Sequence, residues 1–201
     1  DDRDGQLEVA DTLLKFRHAS DPEQTVGEHG PHGLVLGPDG NIYVVIGNHA
    51  TIDAELSEDS PHQTDYEGEI IPRYEDPTGH ANGIKAPGGT IIRVALSGKN
   101  PQRFAGGLRN AYDLAFDQWG NLFTYDSDME ADEGTSWYQP TRVSHVVAGG
   151  EYGWRSGWAK WPKYWHDGLP SLAETGRGSP TGVVVYDHFM YPEKFQHDLM
   201  V

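Results

Sequence analysis

The chain has 201 residues, enough for one domain with a sizeable core, and its 36% apolar content with 25 Gly and 13 Pro fits a turn-rich all-β domain better than a helical one. A net charge of −16 makes nucleic acid and anionic membrane poor partners, and makes cations or a basic electron carrier natural ones, with a solvated acidic surface as the plain alternative. The absence of cysteine excludes disulfides, thiolate metal sites and haem attachment within these residues.

The chain opens on DDRDGQLEVA and stops at HDLMV, directly after an apolar strand-like start, so both ends read as cut from a longer protein. There is no signal peptide and no apolar run of membrane-spanning length in the sequence. The first patterned stretch is HGLVLGPDGNIYVVIGN, His32 to Asn48. It alternates on a period of two around a Gly-containing turn and predicts a β-hairpin. Next comes an acidic, mixed insertion at 51–87. GGTIIRVALSGKNPQRFAGG then predicts a strand, a turn at Ser97-Gly98-Lys99-Asn100 and a second strand.

YDLAFDQWGNLFTYDSD, Tyr112 to Asp128, repeats the first hairpin without a gap, 80 residues further on. TRVSHVVAGGEYGW follows as a strand and a Gly-Gly turn. A second insertion at 155–179 is rich in tryptophan. PTGVVVYD, Pro180 to Asp187, begins a third, weaker copy. The unit is two hairpins, so the expectation is one partial β-propeller domain over 1–201. Its blade-like repeats lie near 29–48, 88–129, 141–154 and 180–201. A β-sandwich is the competing fold.

The repeat gives a geometric handle on chemistry. His29 in GEHGPHGLVL stands at the blade position of Arg109 in GLRNAYDLAF. Residues just before the innermost strand face the axis at one end of a propeller, so these two would converge. A neutral His takes a proton from an alcohol, and an Arg stabilises negative charge growing on an oxygen; a structural role for each is the plain alternative. Asn110 adds an orienting amide. His32 and its copy Tyr112 read as a pocket wall, joined by Trp154 and Trp158, although core packing is the favoured explanation of Trp154. Arg177 falls one residue off the position aligned with Arg109 and is a candidate second axial cation. Asp126, Asp128, Glu130, Asp132 and Glu133 form an acidic run suited to a hard cation such as Ca²⁺, or simply a solvated loop. It is not an EF-hand, because Ala131 stands in place of the Gly and Trp137 in place of the closing Glu.

The stretches EHGPHGLVLGPDGNIYVVIGN, GLRNAYDLAFDQWGNLFTYDSDME, PTRVSHVVAGGEYGWRSGWAKWP and GSPTGVVVYD together resemble the propeller of the membrane-bound dehydrogenases of planctomycetes and verrucomicrobia. More distantly they are similar to the soluble glucose and aldose sugar dehydrogenases that use pyrroloquinoline quinone (PQQ). The resemblance implies a ring of about six blades, of which this chain covers roughly half. It implies a catalytic base at His29, a quinone-binding pair at Arg109 and Asn110, and Ca²⁺ near Asp126 to Glu133. It also implies a periplasmic or other extracytoplasmic location, and a haem c domain or cytochrome c protein beyond this segment as electron acceptor. Two departures stand out: Gly33 replaces an Arg of the sugar dehydrogenases, and Tyr-Asp-Ser-Asp replaces a Gly-Pro before the acids.

Three functions follow as expectations. The first is quinone-dependent oxidation of a sugar or other alcohol. The second is a non-catalytic propeller binding glycans or a protein partner, with Trp158, Trp161 and Trp165 stacking on sugar rings. The third is a Ca²⁺-dependent lactonase-type hydrolase, disfavoured because its axial acids are here His and Arg.

Overall fold

The computed structural model describes residues 10–68, 79–129, 132–157 and 161–201. Glu130 and Trp158 lie outside the described residues, as do parts of both long insertions. The described residues are all-β, with a short 3-10 turn at Glu193–Phe195.

Two four-stranded antiparallel sheets dominate. The first is ordered β2 (Pro31–Leu36), β3 (Asn41–Ile46), β5 (Gly89–Ala95), β6 (Gln102–Leu108). The second is β7 (Leu114–Phe116), β8 (Leu122–Asp126), β9 (Thr141–Val146), β10 (Ala173–Gly176). Each is an up-and-down meander, the form of a propeller blade. β1 (Phe16–His18) pairs with β4 (Ala50–Ile52), and β11 (Val184–Val185) with β12 (Leu199–Met200), which starts a third hairpin.

The two repeated hairpins share their turn chemistry. Asn41 Nδ2 donates to Asp39 at 2.9 Å in the first, and Asn121 Nδ2 to Asp117 at 2.8 Å in the second. The Asp enters from a different position each time, yet it fixes the same Asn. Gly40 and Gly120 complete the turns at φ 78° and 87°.

β3 is apolar on both faces because both are covered. Tyr43 and Val45 join Ile91, Phe104, Leu108, Leu114, Leu122 and Val146 in the core between the sheets. Val44 and Ile46 point the other way, onto Ala50, Ile52 and Ile92, with Leu14 and Phe16 against them. Residues 149–154 then run beside β6, the outer strand of the first sheet. Tyr152 N–H donates to Gly106 O at 3.0 Å and Trp154 N–H to Gly107 O at 2.8 Å. The second sheet is thereby stitched to the far edge of the first.

β10 falls within the stretch read from sequence as the insertion 155–179. Its residues are Ala-Glu-Thr-Gly, all exposed, and only its pairing with β9 makes it a strand. An edge strand with no buried face carries no periodic signal.

Candidate functional site

The site forms where β2 and β7 begin. The turn before β2 carries His29 with φ 56°, a left-handed conformation that His tolerates better than most residues. The turn after β3 carries Asn48 and His49. Residues 109–112, between β6 and β7, approach from the second sheet. Asn48 N–H donates to Arg109 O at 2.8 Å, and Gly33 N–H to Tyr112 O at 3.0 Å. A Cβ at Gly47 would lie 2.5 Å from both Asn110 Oδ1 and His29 O, so only glycine admits this approach. Gly33 is equally confined: its Cβ would lie 2.5 Å from Asp113 Oδ1. That packing explains why a side chain as large as Arg has no room at position 33.

His29 and Arg109, which come from two different blades, are therefore both tied to Asn48, His29 by its ring and Arg109 by its backbone carbonyl. His29 is buried, and its Nδ1–H donates to Asn48 Oδ1 at 2.6 Å, which leaves Nε2 with its lone pair. Burial, and then the charge of Arg109, lower its pKa to about 3, so the ring is neutral at pH 7. Arg109 Nη1 donates to Ser127 Oγ at 3.0 Å. His32 Nε2–H donates to Asn110 Oδ1 at 2.6 Å, and its ring stacks on Tyr112 with centroids 4.6 Å apart. His32, Asn110 and Tyr112 thus form a fixed wall beside His29.

Two residues unforeseen from sequence complete the cluster. His49 and His80 each bring a ring to 4.7 Å from that of His29 and to 4.7 Å from one another. Burial and the neighbouring His80 lower the pKa of His49 to about 4. The three histidines lie 20 and 31 residues apart, at no metal-ligand spacing, so only the fold unites them. The one available hint was that each sits beside a glycine turn.

The acidic run is placed differently. Asp126 is fully buried and acts as an anchor: its carboxylate accepts the N–H groups of Arg109, Asn110 and Ser127 at 2.8–3.2 Å. Arg142 Nη2 approaches it at 3.4 Å. Asp128 is buried and accepts the Tyr138 hydroxyl at 3.1 Å; Asp132 is buried too. Glu133 is exposed and pairs with Arg177 at 3.2 Å, which directs Arg177 to the acidic loop. Among the described residues, the one group of three ligand atoms mutually within 4.8 Å is His29, His49 and His80, with no acid of the loop in it.

Of the described tryptophans of the candidate walls, Trp154 and Trp161 are packed, while Trp165 is half-buried. Trp154 is 1% exposed and sits among Ala81, Ile84 and Met129. Trp161, also 1% exposed, lies under the Arg155 guanidinium at 3.7 Å and donates to Glu67 O. Neither offers a ring face to a sugar, because both are enclosed by protein.

The sequence matches no protein-family model. No curated protein matches it either. Among solved structures, a glucose dehydrogenase aligns with 99% of this chain and 53% of its own, at 18% identity and a TM-score of 0.55. A glucose dehydrogenase-type oxidoreductase of Thermus thermophilus covers 79% of this chain and 43% of its own, at 22% identity and a TM-score of 0.49. The PQQ-bound aldose sugar dehydrogenase of Streptomyces coelicolor covers 77% and 39%, at 19% identity and a TM-score of 0.47. What the first shares with this chain is the fold. The chain spans about half the length of that structure and less of the other two. Among the described residues, no helix is long and apolar enough to cross a membrane.

Proposed function

We propose that the chain is part of a propeller dehydrogenase that oxidises a hydroxyl of a sugar or another alcohol. The observation that carries this reading is that Asn48 joins His29 and the backbone of Arg109, drawn from two blades, with Asp126 anchoring Arg109 N–H. The donor set suits PQQ, an anionic planar quinone. Arg109 brings a half-buried cation for a carboxylate or carbonyl oxygen, and the His32–Tyr112 stack brings a flat wall. When bound, the quinone supplies the hydride acceptor.

The protein's own residues do the rest. His29 Nε2 takes the hydroxyl proton as the carbinol carbon gives up its hydride, leaving a carbonyl product. Asn48 holds the His29 ring in the tautomer this requires. Arg109 stabilises the negative charge that develops on oxygen. Electrons then pass to a cytochrome domain or protein; a net charge of −16 favours a basic carrier, and an extracytoplasmic location goes with such a partner. Ca²⁺ at the acidic loop belongs to this proposal only through Asp128, Glu130, Asp132 and Glu133, because Asp126 is engaged by three backbone donors.

The test is a titration of the intact protein with PQQ, followed by absorbance. Saturable binding that weakens about tenfold to a hundredfold in Arg109→Ala supports the reading. No binding by a folded protein would refute it.

A further inference from the structure

We propose that His29, His49 and His80 form a binding site for a zinc-class divalent metal ion beside the start of β2. Their ligand nitrogens lie within 4.8 Å of one another. They come from three separate segments: the turn before β2, the turn after β3, and the 79–88 stretch that leads into β5. A coincidence of surface residues would not bury two of the three, yet His29 is 6% and His49 8% exposed.

A second, independent observation points to a ligand. Among the described residues, His49 Nε2 is enclosed and has no hydrogen-bond partner. Buried polar atoms are satisfied as a rule, and one left over calls for a bonding partner. A metal ion supplies it. The outer contacts also suit coordination. His29 gives its Nδ1–H to the Asn48 carbonyl oxygen, the arrangement by which metal-bound imidazoles are oriented while the other nitrogen binds the ion. Glu28 Oε2 stands 3.5 Å from His80 Nε2 and brings negative charge to the rim, opposing the nearby cation of Arg109.

The metal class follows from the donors. Three imidazoles and no thiolate suit Zn²⁺, Cu²⁺, Ni²⁺ or Co²⁺, and not Ca²⁺ or Mg²⁺, which want oxygen. Three protein ligands leave a fourth position for water or substrate. Zn–N bonds of about 2.0–2.1 Å set the nitrogens about 3.4 Å apart in a tetrahedron. The nitrogens therefore close on one another by up to about 1.4 Å on binding, within reach of side-chain rotation. A bound ion also occupies the His29 lone pair, so metal binding and proton transfer by that ring exclude each other.

The test uses the intact protein stripped with chelator, without quinone or sugar, so it stands or falls separately from the dehydrogenase reading. Co²⁺ is titrated and its visible d–d absorption followed, then Zn²⁺ is added in competition. The expected result is one Co²⁺ per chain with intense tetrahedral-type bands, displaced by Zn²⁺. Affinity should fall at least tenfold in His49→Gln and in His80→Gln. Should the buried His49→Gln variant fail to fold, the more exposed His80→Gln decides, with circular dichroism as the folding control. Absence of saturable Co²⁺ binding would overturn the proposal, and so would binding unchanged in folded His80→Gln.

Discussion

Two regions of this molecule bury charged and titratable side chains, and they partner them differently. Around residue 151 the charged groups are tied to one another. Glu151 accepts from His62 at 3.0 Å, from Arg155 at 2.9 Å and from Gly153 N–H at 2.8 Å. Arg155 also donates to Tyr66 O and stacks on Trp161. This network pins the segment beside β6 and the first turns of the tryptophan-rich insertion. At the mouth of β2, three imidazoles, a guanidinium and an amide converge with one rim carboxylate, and His49 Nε2 is left over. Paired charges are scaffold. Among the described residues, unpartnered buried atoms occur in both regions, His62 Nδ1 and Arg155 Nη2 in the first and His49 Nε2 in the second; what sets the second apart is that its donors are three imidazoles within 4.8 Å of one another with no buried carboxylate among them.

The contrast can be broken from the scaffold side first. Glu151→Ala strands a buried Arg155 and His62 and should cost about 3–5 kcal/mol of stability, read by urea unfolding. Asp126→Ala comes next, at about 3 kcal/mol, because it removes the Arg142 partner and the acceptor of three N–H groups. A loss well below 1 kcal/mol in either variant would remove the distinction between the regions. His29→Ala, by comparison, loses one hydrogen bond and should cost only about 1 kcal/mol.

A pH series sharpens the same point. Burial pushes the Glu151 pKa up, but the His62 hydrogen bond and Arg155 outweigh it, so the folded value lies below the ordinary one. A depressed carboxylate contributes stability above its unfolded pKa of about 4.5, and that contribution is lost as pH falls through the folded value. Unfolding midpoints should therefore drop on acidification below about pH 4.5, and Glu151→Gln should flatten that drop. An unchanged acid limb in the variant would assign the effect to other carboxylates.

Much of the fold was legible in the sequence, because hairpins such as Leu34–Val45 and Leu114–Tyr125 carry period-two alternation around Asp/Asn/Gly turns. β10 was not, since its four exposed residues gain strand geometry only from β9. That the segments of His29 and Arg109 lie side by side could be read because the hairpin repeats at a fixed offset, and equivalent positions in a repeat share a location. His49 and His80 have no such copy, and their convergence depends on how a long insertion folds back. The acids showed the opposite difficulty. Alternation of Asp126, Asp128, Glu130 and Asp132 resembles a cation loop, yet Asp126 is turned inward to the N–H groups of 109 and 110. Sequence spacing does not reveal which way a carboxylate faces. The tryptophans taught the same lesson, with Trp154 and Trp161 enclosed as packing rather than displayed to a sugar.

The most direct test of the central claim is sugar- and alcohol-dependent dye reduction by the quinone-loaded intact protein, compared with His29→Ala. The account predicts that the variant still binds the quinone by absorbance and loses turnover by at least about a hundredfold, the scale of a missing general base. Turnover unchanged in a folded, quinone-bound His29→Ala would contradict it and move the chemistry away from the meeting of the two blades.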